Sequence, residues 1–354
     1  MYFRTEGRSP GLEQIVWSLK EGGTRISLFK DLGPRQRFYK ETGKAEWFIE
    51  ISKPEVDTDE TWGRIADLSR MMGLPIKVFG GCSNTLISEE KFRGIFVAHR
   101  FSIGKEEIIH NRWKRTITAS GAASLGKVVN FACNKGLDLS FLTGIPGTLG
   151  GAVVGNSGRS STGQNIGDNI EKIVAYDLIS KKKVVFNPKK TEGFFRQRGS
   201  YFADMNHPIT KLAVRSVILK PLFIGKKAKE KLAERKKERR LKNLLSRFSA
   251  GSFWINKLEG LPEPGEGLTR RYIRRLIEEG VNLNEGDIEY SKFWQFLKIG
   301  KGWGRKPTDA DVARVLQRTI TALNHRWGFK PRSEVTILGP DGALSVEEYI
   351  NASI

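Results

Sequence analysis

The chain has 354 residues, 39% of them hydrophobic and 10% aromatic, which is enough for two or three compact domains and too apolar for wholesale disorder. Sixty Lys or Arg against 39 Asp or Glu give a formal charge of +21, so an anionic partner must be considered, whether nucleic acid, a lipid surface or a phosphorylated small molecule. Two cysteines, Cys82 and Cys133, make no disulfide framework, and the scattered His99, His110, His207 and His325 give no pair at metal-ligand spacing, so no metal site is expected.

In chain order, Met1 to Lys20 carries charges and no continuous apolar run, and no later run has membrane-spanning length. The expectation is a soluble, cytoplasmic protein without membrane insertion, opening on an N-terminal extension over 1–25. From Ile26 to Arg100, β-like runs at Trp47–Ile51, Pro75–Phe79 and Gly94–Ala98 surround one helical pattern, Asp59–Met72, which predicts a small α+β unit over 26–105. Over 106–222, glycine-rich turns alternate with strand-like Lys172–Leu178, Lys183–Phe186 and Ala213–Leu219, interrupted by a helix at Leu125–Lys135. Lys226 to Arg247 then holds eleven basic residues against three Glu. Glu230, Glu234 and Glu238 recur every four residues among the bases, which reads as a solvated helical connector over 223–247. The last segment, 248–354, predicts helices at Leu268–Glu279 and Asp309–Trp327 and a final β-like run at Glu334–Leu338.

Two glycine-rich constellations carry the chemistry. In Phe79-Gly80-Gly81-Cys82-Ser83-Asn84-Thr85-Leu86-Ile87 the backbone at Gly80 and Gly81 is open to close approach, and Ser83 and Asn84 are hydrogen-bond donors. Such a run suits a diphosphate cradle or an ordinary tight turn, and it lacks both the strand-to-helix setting of a dinucleotide fingerprint and the Lys of a P-loop. The second runs from Gly144 to Gly158, Gly-Ile-Pro-Gly-Thr-Leu-Gly-Gly-Ala-Val-Val-Gly-Asn-Ser-Gly, a backbone shaped to approach a ligand or another strand. Two such loops about sixty residues apart suit a long ligand clamped at two points, and a dinucleotide is such a ligand.

The order of these motifs, followed by Ile166-Gly167-Asp168, resembles the flavin domain of the UDP-N-acetylenolpyruvoylglucosamine reductase family. Upstream, Arg37-Phe38 with Gly43-Lys44-Ala45-Glu46-Trp47-Phe48 is similar to that family's opening segment; downstream, Ala250-Gly251-Ser252-Phe253-Trp254-Ile255-Asn256 and Glu334-Val335 are similar to its later motifs. The resemblance spans about Arg37 to Gly339. It implies an α+β fold, with a two-subdomain, non-Rossmann FAD-binding unit of the PCMH/MurB type and a C-terminal α+β substrate-binding domain.

The same resemblance implies FAD held by Gly80, Gly81, Cys82, Ser83, Asn84 and Thr85 on one side, and by Gly144, Ile145, Pro146, Gly147, Thr148, Gly150, Gly151, Asn156 and Gly158 on the other. It implies NADPH as reductant and an enolpyruvyl sugar nucleotide as substrate. Ser252 falls on the family's proton donor, Arg198 on its arginine and Glu334 on its glutamate. The chain departs from the family at Gln197, where a tyrosine is usual, at Lys257, where a proline is, and at Phe293, where a histidine is common. Two other readings stay open: a flavoenzyme of the same fold acting on another substrate, and a nucleic-acid binder using Lys226 to Arg247 as its phosphate-tracking surface.

Overall fold

The computed structural model describes residues 10–32, 42–102, 104, 107–159, 163–196, 199–200, 212–241, 249–254, 268–285, 288–290, 296–299, 307–328 and 330–354. The chain forms two compact units, one from Met1–Lys30, Glu46–Gly81 and Arg93–Lys242, the other from Asp31–Ala45, Cys82–Phe92 and Asn243–Ile354. Neither unit is a single run of chain, and one passage between them falls inside the first glycine motif, after Gly81. Residues 31–45 and 82–92, which the sequence places with 26–105, group with the C-terminal part.

The two larger sheets of unit 1 each have their own hydrophobic core. The first has the strand order Arg25–Asp31, Lys44–Ile51, Phe92–His99, Ile76–Phe79. Helix α2, Asp59–Met72, covers it. Thr58 starts this helix by accepting from Thr61 N, Asp59 and Glu60 sit in its first turn, and Gly73 ends it in the left-handed conformation. It buries Trp62, Ile65 and Leu68 against Trp47, Ile49, Ile95 and Val97. The segment read as an extension contains helix α1, Pro10–Glu21, which packs on α2 and places Leu12 and Leu19 in the same core.

The second sheet is antiparallel throughout, in the order Lys182–Phe186, Ile170–Asp177, Leu212–Leu219, Thr116–Ser120, Ile108–Asn111. Helix α3, Leu125–Asn134, lays Val128, Val129 and Ala132 into its core. A short helix α4, Leu149–Val154, forms inside the second glycine motif, where the sequence reads as a loop. The basic segment forms helix α5, Lys227–Leu241, and is not a free connector. Ala228 and Leu232 are buried with α3 in this core, and Lys231 Nζ lies 3.0 Å from Asp138 Oδ2.

Unit 2 packs helix α6, Leu268–Glu278, helix α7, Asp309–Trp327, and helix α8, Val346–Ser353, with two small sheets. One has the order Ser249–Ser252, Phe296–Ile299, Ile288–Tyr290; the other runs Gly342–Leu344, Thr336–Gly339, Thr85–Ile87. Thr308 and Asp311 form a capping box at the head of α7 and left-handed Gly328 closes it, which gives the helix the bounds expected from the sequence. Its inner face, Val312, Val315, Leu316 and Leu323, forms a core with Leu86, Phe253, Trp254 and Ile337. Among the described residues, no helix is long and apolar enough to cross a membrane, and no group of His, Cys, Asp and Glu side chains is arranged to hold a metal ion.

Candidate functional site

In unit 1 the glycine motifs meet backbone to backbone. A Cβ at Gly80 would stand 2.0 Å from Thr148 Oγ1, and one at Gly81 would stand 2.8 Å from Gly147 Cα. The space denied to side chains there is therefore taken by the second loop, not left free for a diphosphate as the sequence suggests. Gly144 and Gly147 have φ of +77° and +108°, which bend the second loop into place. Gly80, Gly81, Gly144, Ile145 and Gly147 are half-buried and Pro146 and Gly151 exposed, so an accessible ribbon of backbone runs along both loops. That ribbon fits an extended dinucleotide better than a compact ligand.

The head of α4 adds no open donors. Leu149 N donates to Ala123 O at 2.9 Å, Gly150 N to Gly121 O at 2.7 Å and Gly151 N to Thr148 Oγ1 at 3.2 Å. Buried Asn156 and Gly158 serve the protein itself. Asn156 Oδ1 accepts from Gly167 N at 3.1 Å, and Gly158 pairs with Asn165. Gly167 lies so near Phe195 that a Cβ would stand 2.6 Å from its ring. Phe195–Arg196 and Gly199–Ser200 form a hairpin held to α4 by Ser200 Oγ donating to Val154 O at 2.8 Å. Arg198 falls between these strands and lies outside the described residues.

In unit 2, Cys82 is buried with φ +47°, Ser83 and Asn84 are half-buried, and Thr85 begins the strand that pairs in parallel with Thr336–Leu338. Asn84 Nδ2 donates to Glu334 O at 2.8 Å, and Thr336 N donates to Asn84 O at 3.1 Å. Glu334 N in turn donates to Phe253 O at 2.7 Å, and Trp254 bridges to Ser333. The segments of Asn84, Glu334 and Ser252 are thus tied together by backbone. Ser252 itself pairs with Phe296, and its side chain is outside the described set.

Three features beside these residues escape the sequence reading. Trp254 Nε1 donates to Tyr290 Oη at 2.9 Å, Tyr290 Oη lies 2.8 Å from Thr319 Oγ1, and Thr319 Oγ1 donates to Val315 O, so the phenol must donate to Thr319. Burial pushes the Tyr290 phenol up to about 12, which keeps that proton in place. Buried Asp309 accepts from Ser88 Oγ at 2.8 Å, Glu89 N at 2.7 Å and Tyr349 Oη at 2.7 Å, fixing the strand after Asn84 to α7. In unit 1, Arg239 of α5 lies over Gly144, where a Cβ would stand 3.2 Å from its Cδ and Nε.

Comparison with known proteins agrees with this architecture. Residues 55–177 match the FAD binding domain family. The UDP-N-acetylenolpyruvoylglucosamine reductase of Geobacter sulfurreducens is 26% identical over 84% of this chain and 89% of its own length. That of Wolbachia pipientis wMel is 34% identical, but over 35% of this chain and 40% of its own length. The crystal structure of the reductase from Thermus caldophilus shares the fold with a TM-score of 0.63 at 22% identity, covering 89% of this chain and 98% of that one. The chain is thus an FAD-binding protein that resembles the UDP-N-acetylenolpyruvoylglucosamine reductases in sequence and fold.

Proposed function

We propose that the chain is a cytoplasmic FAD-dependent oxidoreductase that takes electrons from NADPH and reduces the enolpyruvyl ether of UDP-N-acetylglucosamine to UDP-N-acetylmuramate, a step of peptidoglycan precursor synthesis. The observation that carries this reading is the junction in unit 2, where Glu334 N bonds Phe253 O, next to Ser252, and Glu334 O accepts from Asn84. It joins the proton-donor segment, the glutamate segment and the end of the first glycine motif.

The backbone ribbon at Gly80, Gly81, Gly144 and Gly147 would hold FAD, which would supply the hydride that the distal alkene carbon of the substrate requires. Ser252 gives a proton to the neighbouring carbon, and Glu334 polarises the reacting group. Arg198 meets the charge that develops toward the substrate carboxylate with a bidentate guanidinium contact. A serine hydroxyl is a weak acid, so its donation depends on being held within hydrogen-bond reach of a strongly basic carbon. The chain of hydrogen bonds from Trp254 through Tyr290 to Thr319 supports the reading, because it fixes the residue two places after Ser252.

The two half-reactions test it. With Ser252→Ala, NADPH should still reduce the flavin at near its normal rate. Reoxidation by the enolpyruvyl sugar nucleotide should slow by roughly 10²-fold or more, as for loss of a positioned acid. Stopped-flow flavin absorbance resolves both steps, and equal slowing of both, or of neither, removes Ser252 from the proton-donor role. A parent protein whose reduced flavin is not reoxidised by this substrate overturns the substrate assignment.

A further inference from the structure

In the second sheet of unit 1, the edge strand Ile108–Asn111 turns back into Thr116–Ser120 through Arg112, Trp113, Lys114 and Arg115. Trp113 is 97% exposed and Ile109 on the same hairpin is 62% exposed. The turn closes without the indole, by Asn111 Oδ1 accepting from Lys114 N at 2.9 Å. Cations on an edge strand have a bland explanation, since they block pairing with another sheet. An indole in water does not serve that end, and its burial elsewhere would be favourable.

The surroundings are of the same character. The Arg115 guanidinium lies 4.7 Å from the Phe223 ring centroid, Phe223 is 46% exposed, and its neighbour Leu222 is 70% exposed. A bridge from Phe223 to Leu137 brings in the end of α3 with Lys135. Slight burial, and then Lys135 and Arg112, hold the His110 imidazole below its usual range, which marks the local potential as positive. No Asp or Glu occurs between Ile108 and Leu137 or between Leu212 and Lys229.

We propose that this face docks on the surface of an anionic lipid bilayer, with Trp113 and Leu222 entering the headgroup boundary while Arg112, Lys114 and Lys135 meet lipid phosphates. A projecting indole beside aliphatic side chains, ringed by cations, matches the composition of membrane-interface anchors. Single-stranded nucleic acid would use aromatic rings as stacking platforms along a groove, and exposed Leu222 and Ile109 offer none. The attachment is peripheral and independent of the proposed reaction.

Flotation of the full FAD-loaded protein with vesicles tests it, comparing equal parts phosphatidylglycerol and phosphatidylcholine with phosphatidylcholine alone. The anionic vesicles should carry the protein, less so at high salt, and the neutral ones should not. Lys114→Ser should weaken binding about fivefold, the contribution of one cation at such a surface, and Trp113→Ala by at least as much. All four side chains of the turn are exposed, so flavin absorbance and thermal midpoint should stay at parental values. No binding by the parent, or variants that bind as the parent does, overturns the proposal. Single-stranded DNA bound more tightly than vesicles, and weakened by the same substitutions, overturns it in favour of nucleic acid.

Discussion

A Cβ at Gly81 would meet a backbone atom, Gly147 Cα, at 2.8 Å, whereas one at Gly151 would meet Thr148 Oγ1 at 3.5 Å, an ordinary contact. Gly81→Ala should therefore push the loops apart, costing about 1–3 kcal/mol of overpacking and lowering the flavin content of the purified protein. Gly151 lies within α4 on an exposed face, so Gly151→Ala should leave stability unchanged or raise it by about 0.5–1 kcal/mol. Urea unfolding and the flavin-to-protein absorbance ratio check both. Flavin loss in Gly151→Ala with stability intact would place that position against the cofactor. Glycine content alone marked both motifs as backbone built for close approach and left open whether a ligand or a turn required it. Which glycine is indispensable was not, because the crowding atom at Gly81 belongs to a residue in the other motif. Arg239 was invisible for a similar reason: its role depends on the left-handed turn at Gly144, which no local pattern announces.

Helix α5 reads as a solvated helix with a little apolar surface, Leu232 included; Ala228, Leu232, Arg235 and Arg239 fall at helical spacing, and the first two are buried. Leu232→Ala should destabilise unit 1 by about 2–4 kcal/mol, and Arg239→Ala should loosen the second glycine loop and lower flavin retention. Serine at exposed Lys229, Lys236 and Lys237 should change stability by no more than about 0.5 kcal/mol and leave kcat within a few-fold. Thermal unfolding and flavin titration separate the two faces. Helices with clear apolar periodicity were readable from sequence, α2 over Asp59–Met72 and α7 over Asp309–Trp327, and the structure adds the caps that fix those ends, Thr58 and Gly73, Thr308 and Gly328. Helix α1 carries a stripe of Leu12, Ile15, Val16 and Leu19 that was equally present, but the charged residues around it read as a tail. Helix α4, six residues with two glycines, is too short for any periodicity to show.

Across the whole molecule, buried polar groups pin segments that are distant in sequence. In unit 1, Asp57 accepts from Trp62 Nε1 at 2.7 Å and lies 3.1 Å from His99 Nε2 and 2.6 Å from Arg215 Nε, so it links α2 to strands of both sheets. Burial alone would raise its pKa, but His99, Arg215 and Trp62 outweigh that and hold the carboxyl below its usual range. Its contribution is therefore complete above the unfolded-state value of about 3.9 and lost as pH falls through the lower folded value. Stability should decline on acidification below about pH 4. Asp57→Asn should be less stable at pH 7, by about 3 kcal/mol, and should show a shallower acid decline in urea titrations across pH. A parental slope in that variant would assign the acid sensitivity to other carboxylates.

Asn84 and Glu334 are bonded across 250 residues of chain. During synthesis at roughly 5–20 residues per second, Glu334 leaves the ribosome roughly 12–50 s after Asn84. Through that interval the strand Thr85–Ile87 has no partner, and Leu86 and Ile87, each 1% exposed in the finished fold, face solvent or a chaperone. Unit 2 can be completed only once its C-terminal part, Asn243–Ile354, has emerged. Late truncation should therefore produce an aggregation-prone nascent protein even where unit 1 has already closed.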